Sequence, residues 1–152
     1  MANLLKGNGV PAPTILMVED NSDHAEIISR VLRKINPGVS IHIARDGQKA
    51  LEILGLLEGF SLSIPVPKLI LLDIRLPKFD GSYVLKAIKS SRKLKKIPVI
   101  VLTTSTRDVE IKEMYKLGAN SYIVKPGRFE DFMVQLRKLQ PYLEDYSIKA
   151  KL

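Results

Sequence analysis

"KLILLDIRLPKFDGS" (Lys68–Ser82) joins an apolar run to a charged segment rich in turn residues. Leu69–Leu72 are continuously apolar and run straight into Asp73, after which Pro77, Asp80 and Gly81 break the chain. An apolar run without alternation describes a short strand covered on both faces. A carboxylate at the end of such a run needs a partner. Desolvating it costs several kcal/mol unless it is paired, hydrogen-bonded or bound to a metal.

Outward from this strand the same pattern repeats in both directions. "TILMV" (Thr14–Val18) reads as a first buried strand, followed by Ile28, Val31, Leu32 and Ile35 at helical spacing and a stop at Asn36, Pro37 and Gly38. "SIHIA" (Ser40–Ala44) is a second strand. Asp46 then caps a helix expected to reach about Glu58, with Ala50, Leu51, Ile53, Leu54 and Leu57 inward. "GFSLSIPVP" (Gly59–Pro67) carries two prolines and reads as a loop. A helix with Val84, Leu85 and Ile88 inward follows Gly81, and "PVIVL" (Pro98–Leu102) is a fourth strand. Arg107–Leu117 is a helix ending at Gly118, and "SYIVK" (Ser121–Lys125) is a fifth strand. The last helix is expected from about Phe129 to Tyr142, with Phe129, Phe132, Met133, Leu136 and Leu139 on one face. Short apolar strands alternating with helices imply an α/β protein with a doubly wound, parallel, five-stranded sheet. Residues 1–13 and 144–152 read as tails around one domain at 14–143.

The 152 residues suit a single domain with a sizeable core. The absence of cysteine removes disulfides and thiolate metal sites. The apolar runs fall far short of the roughly 18–20 residues of a membrane span, and "MANLLKGNGVPAPT" (Met1–Thr14) lacks the apolar core of a secretion signal. A cytoplasmic protein without membrane contact is expected. The net charge of +8 raises nucleic acid as a partner. Much of that charge sits in "KAIKSSRKLKK" (Lys86–Lys96), which reads as a solvated helix face, and no nucleic-acid-binding signature accompanies it. No direct nucleic-acid binding is expected.

In such a sheet, ligands bind beyond the carboxyl ends of the strands, where strand order reverses. Glu19 and Asp20 follow the first strand, Asp73 the third, Thr103 and Thr104 the fourth, and Lys125 closes the fifth; the second offers only Arg45 and Asp46. In the order 2-1-3-4-5 the first and third strands are neighbours, so Glu19, Asp20 and Asp73 converge. Carboxylates brought together either take up protons or recruit a cation. All-oxygen ligands in an open crevice fit Mg²⁺. Lys125 supplies a point charge for a phosphoryl group and Thr103 a hydroxyl donor. A nucleophilic carboxylate, a divalent ion and an opposing cation are the parts of phosphoryl transfer to aspartate.

"LMVEDN" (Leu16–Asn21), "LILLDIRLPKFDG" (Leu69–Gly81), "VIVLTTS" (Val99–Ser105) and "GANSYIVKP" (Gly118–Pro126), in that order, resemble the receiver domains of two-component response regulators. The resemblance covers nearly all of Thr14–Tyr142 and rests on the ordered set rather than on any one motif. It implies the flavodoxin-like (βα)5 fold. It implies Asp73 as phosphoacceptor, and Glu19, Asp20, Asp73 and the backbone carbonyl of Arg75 as Mg²⁺ ligands. Thr103 and Lys125 would contact the phosphoryl group, Tyr122 would be an aromatic switch moving with Thr103, and the Lys125–Pro126 peptide would be cis. The long connection between Glu58 and Lys68, with "LTTS" (Leu102–Ser105), is similar to the single-domain regulators of cyanobacterial and bacterial phytochromes. Gly127 and Arg128 depart from many receivers, which carry a bulky apolar residue there. The implied partners are a sensor histidine kinase (a bacteriophytochrome is one candidate), a downstream protein effector, and a second copy through the fourth helix–fifth strand–fifth helix face.

Plainer readings stand beside these. Asp73 reads alternatively as a turn residue, Glu19, Asp20 and Asn21 as a helix cap, Thr103 as strand propensity and Tyr122 as packing. His24 and His42 are isolated, without ligand spacing. A haloacid-dehalogenase-type phosphatase wants a second acid two residues beyond its nucleophile, where this chain has Arg75. A flavin or nucleotide binder brings a glycine- or hydroxyl-rich loop after the first strand, where this chain has Glu19 and Asp20. A receiver that acts by binding alone, without phosphate, is disfavoured because every key residue is present. The expectation is a phospho-accepting signalling domain rather than an enzyme.

Overall fold

Five strands form one parallel sheet in the computed structural model, which describes residues 5–6, 10–125 and 127–143. They are β1 (Thr14–Val18), β2 (Ser40–Ala44), β3 (Leu69–Asp73), β4 (Val99–Thr103) and β5 (Ser121–Val124). Their order across the sheet is β2-β1-β3-β4-β5, the expected 2-1-3-4-5 arrangement, with all neighbours parallel. The three central strands are buried at every position, which is why their sequences do not alternate. Successive side chains still point to opposite faces. Ile15, Met17, Leu69, Leu71, Ile100 and Leu102 pack on one side, and Leu16, Val18, Ile70, Leu72, Val99 and Val101 on the other.

The helices are α1 (Ser22–Ile35), α2 (Gly47–Ile53), α3 (Gly81–Lys89), α4 (Asp108–Lys116) and α5 (Phe129–Leu136). Ile28 and Leu32 of α1 join Phe132 and Leu136 of α5 in the first core, while Ala50, Val84, Leu85, Ile88 and Met114 of α2–α4 fill the second. Asn21 Oδ1 caps α1 by accepting from the His24 N–H at 3.0 Å, and Asp46 Oδ1 caps α2 by accepting from Lys49 at 2.7 Å.

Two helices differ from the sequence expectation. The one expected to reach Glu58 stops at Ile53, because Gly55 takes a left-handed φ of 70°. Its N–H bonds the Glu52 carbonyl at 3.0 Å and the Leu56 N–H bonds Leu51 at 2.9 Å, the paired bonds of a Schellman cap. The chain then turns back, and Leu54 bridges Leu62 antiparallel. The last helix ends at Leu136 and continues as a 3-10 turn (Arg137–Leu139) and α6 (Gln140–Leu143). Pro141 has no N–H with which to extend an α-helical ladder, so the preceding turn tightens. Phe129, on the same face as Phe132 and Leu136, is 58% exposed, because it opens the helix before the buried stripe begins. Within the first thirteen residues, Leu5–Lys6 pairs antiparallel with Val10–Pro11. Pro126 and residues 144–152 lie outside the described residues, and with them the expected cis bond and C-terminal tail.

Each helix returns antiparallel to the strands. First-turn acids (Asp23, Asp108, Glu110, Glu130 and Asp131) therefore gather at the carboxyl end of the sheet. Last-turn bases (Arg33, Lys34, Lys86, Lys89 and Lys116) gather at its amino end. No helix among the described residues is long and apolar enough to cross a membrane.

Candidate functional site: an acidic crevice at the carboxyl end of the sheet

The site begins where β1 and β3 lie side by side. Val18 pairs with Leu72, so the residues that follow, Glu19 and Asp73, emerge together. Glu19 is held in line by its N–H bonding Ala44 at 2.9 Å, and its side chain is fully buried. Asp73 is 7% exposed, while Asp20 faces solvent. One carboxylate oxygen from each of the three acids lies within 4.8 Å of the others. The convergence expected from the strand order is present.

Lys125 enters from β5, anchored by its N–H bonding Thr103 at 2.7 Å. Its Nζ donates to Glu19 Oε1 and, at 2.9 Å, to Asp73 Oδ2. The remaining oxygens face backbone: Asp73 Oδ1 accepts from the Arg75 N–H at 3.0 Å, and Glu19 Oε2 from Asn21 at 3.2 Å. Burial raises the Glu19 carboxyl to about 7; the bond to Lys125 and its charge oppose that rise, and Asp73 adds to it. One lysine thus fails to compensate the buried acids fully.

The loop after β3 is shaped by close backbone approach. A side chain on Gly81 would meet the Asp73 carbonyl at 2.3 Å, and one on Gly47 would meet the Phe79 carbonyl at 1.9 Å. Lys78 and Phe79 adopt left-handed φ values of 48° and 66°, which L-residues with side chains rarely take. The loop is held against α2 by the Gly47 N–H bonding Pro77 at 3.1 Å. This packing fixes the backbone that turns Arg75 toward Asp73.

Thr103 is buried at the end of β4, its Oγ1 accepting from the Ser105 N–H at 2.9 Å. Tyr122 is half-buried, edge-on to Tyr115 of α4 with centroids 6.0 Å apart and with Lys138 Nζ 4.9 Å above its ring. The crevice encloses about 190 Å³ and brings together Glu19, Asp20, Asp73, Arg75, Thr103 and Lys125. Tyr122 is not among its walls. Arg75 and Thr103 also border a second cavity of about 370 Å³ that reaches Met114 of α4.

Three residues without a firm role in the sequence reading also line the crevice: Asn21, His24 and Thr104. The signal for His24 was its place in the first helical turn after β1, on the side where such sheets build sites. Chemically, three hard carboxylate oxygens in an open, partly solvated crevice could hold a metal, and their donor set fits a small hydrated dication such as Mg²⁺.

Comparison with known proteins agrees with this arrangement. A family model described as "Response regulator receiver domain" matches residues 15–137. Response regulator Rcp1 of Synechocystis sp. is 36% identical over 141 residues, spanning 92% of this chain and 95% of that one. The probable methanogenesis regulatory protein FilR2 of Methanothrix harundinacea is 44% identical over 128 residues, spanning 84% of this chain and 81% of that one. The solved Mn(2+)-bound form of response regulator Rcp1 superposes with a TM-score of 0.79 at 35% identity, covering 87% of this chain and 95% of its own. The phosphorylated cyanobacterial phytochrome response regulator RcpA superposes with a TM-score of 0.79 at 34% identity, covering 88% and 95%.

Proposed function

Because the chain belongs to the response regulator receiver domain family of two-component signalling, we propose that it accepts a phosphoryl group on Asp73 from a sensor histidine kinase, with Mg²⁺ bound. The observation that carries this reading is the Asp73 carboxylate, buried at a strand end between two further acids and one lysine. A structural carboxylate has no need of such company, whereas a nucleophile that must meet a phosphoryl dianion does.

An Asp73 oxygen attacks phosphorus, and the bond from phosphorus to the donor imidazole nitrogen breaks. Glu19, Asp20, Asp73 and the Arg75 carbonyl would hold the ion, which would supply positive charge to offset that of the phosphoryl group. Lys125 exchanges a carboxylate partner for a phosphoryl oxygen. Thr103 turns its hydroxyl toward the same group, giving up its bond from Ser105. The cavity between Thr103 and α4 leaves room for that helix to rearrange, and Tyr122 follows inward. The altered α4–β5–α5 face then signals by contact with an effector or with a second copy. Similarity to the cyanobacterial phytochrome response regulator RcpA supports a phytochrome-type kinase as the donor. The domain assists its own phosphoryl transfer and hydrolysis, and its setting is the cytoplasm.

Incubation with acetyl phosphate and Mg²⁺, followed by intact mass spectrometry and sizing chromatography, tests this reading. One phosphoryl group on the wild type and none on Asp73→Asn is the expected pair of results. Equal labelling of both would remove Asp73 as the acceptor.

A further inference from the structure

His24 lies in the first turn of α1 and forms part of the crevice wall beside Asp20, Asn21 and Thr104. Its backbone is capped by Asn21 and its ring stands edge-on to Phe132 of α5, with centroids 5.7 Å apart. Yet its Nδ1 is sealed from solvent with no hydrogen-bond partner among the described residues. Native structures seldom leave a buried polar nitrogen unpaired, and such groups point to a partner that the protein itself does not provide. A small octahedral dication held by three carboxylate oxygens and the Arg75 carbonyl keeps about two waters, and these are strong hydrogen-bond donors in search of acceptors. Asn21 Oδ1 and Thr103 Oγ1 each already accept one bond, from His24 N–H and Ser105 N–H. An imidazole is an acceptor when neutral. Burial, and then the charge of Lys125, lower the proton affinity of His24 against the opposing pull of Asp73, Asp23 and Asp20.

We propose that His24 is a positioning residue of the metal site: turned toward the crevice, a ring nitrogen accepts a hydrogen bond from a magnesium-bound water and orients the hydration shell of the ion. Outer partners of this kind commonly change metal affinity by about 10–100-fold. The inference rests on the magnesium reading given above, and the test separates the two. Mg²⁺ is titrated calorimetrically into the full chain as wild type, His24→Leu and His24→Gln, and metal-free thermal unfolding is recorded for each. The wild type binds, His24→Leu binds about tenfold more weakly, and His24→Gln, which keeps a polar acceptor, recovers most of the loss. Metal-free His24→Leu unfolds no earlier than the wild type, because the unpaired nitrogen is gone. Equal Mg²⁺ affinity in wild type and His24→Leu overturns the role of His24 and leaves the magnesium reading standing. Weak binding by both variants, or a loss in His24→Leu matched by metal-free destabilisation, makes His24 a packing residue and overturns it too. A wild type that takes up no Mg²⁺ removes the magnesium reading, and the inference with it.

Discussion

Lys125 and Lys89 stand at opposite ends of the sheet and use the same ammonium group differently. Lys89 Nζ donates to the carbonyls of Lys95 and Ile97, at 3.2 and 2.9 Å, and to Asn120 Oδ1 at 3.1 Å. Its three donors are matched by neutral oxygens fixed by the backbone, and Asn120 in turn accepts the Val99 N–H at 2.9 Å. This knot ties the end of α3 to the starts of β4 and β5. Lys125 is matched to carboxylates, and the acids around it outnumber it. A lysine paired with neutral, immovable oxygens holds structure. One paired with surplus negative charge is exchangeable, because a dication or a phosphoryl group can alter its partners at modest cost.

Removing each ammonium in turn separates the two roles. Lys125→Met is expected to lower the rate of labelling by acetyl phosphate by about 100-fold or more, the usual penalty for deleting a charge-stabilising donor. The same variant is expected to bind Mg²⁺ more tightly, since a competing cation is gone; weaker binding by calorimetry would contradict the exchange picture. Lys89→Met should leave labelling unchanged and cost about 2 kcal/mol of stability in urea unfolding, because three hydrogen bonds to a charged group are lost. Equal effects of both variants on labelling would erase the distinction between the two ends.

The carboxyl that faces Lys125 makes its end of the sheet sensitive to pH. Glu19 has its carboxyl raised to about 7. In the metal-free protein its stabilising contribution is complete below its unfolded value, near 4.5, and is lost as pH rises through about 7. Metal uptake has the opposite sign. Below about 7 the ion must displace the Glu19 proton, so Mg²⁺ affinity falls about tenfold for each further unit of acidification in a pH series of calorimetric titrations. A pH-independent affinity between 5 and 7 would mean that Glu19 is already ionised. The smallest effect is expected at Gly118, whose φ is 105° and whose added Cβ would meet Lys89 Cγ at 2.8 Å. Gly118→Ala should cost about 1 kcal/mol, readable as a lower thermal midpoint without loss of labelling.

What the sequence disclosed follows the same division. The sheet was legible because β1, β3 and β4 are buried on both faces and therefore uninterrupted. The acids were legible because they stand at the carboxyl ends of such strands. Gly55 was read through as helix interior, since a glycine near a helix end shows its left-handed role only when the next residues turn back to bond Leu51. The exposure of Phe129 was not legible, because a helical stripe does not say at which turn burial begins. The Lys89 knot left no trace, because its acceptors are two backbone carbonyls and an amide some thirty residues away. For His24 only its place in the first turn after β1 was legible, because its ring contact comes from Phe132 of α5, distant in the chain.

The sorting of acids to the carboxyl end and bases to the amino end gives the molecule a lengthwise electric moment. A partner with a positive face meets the crevice mouth first, before any atom of the interface touches, and one with a negative face meets the far pole. Encounter is then oriented by the field rather than found by random tumbling, and the advantage fades as salt is added.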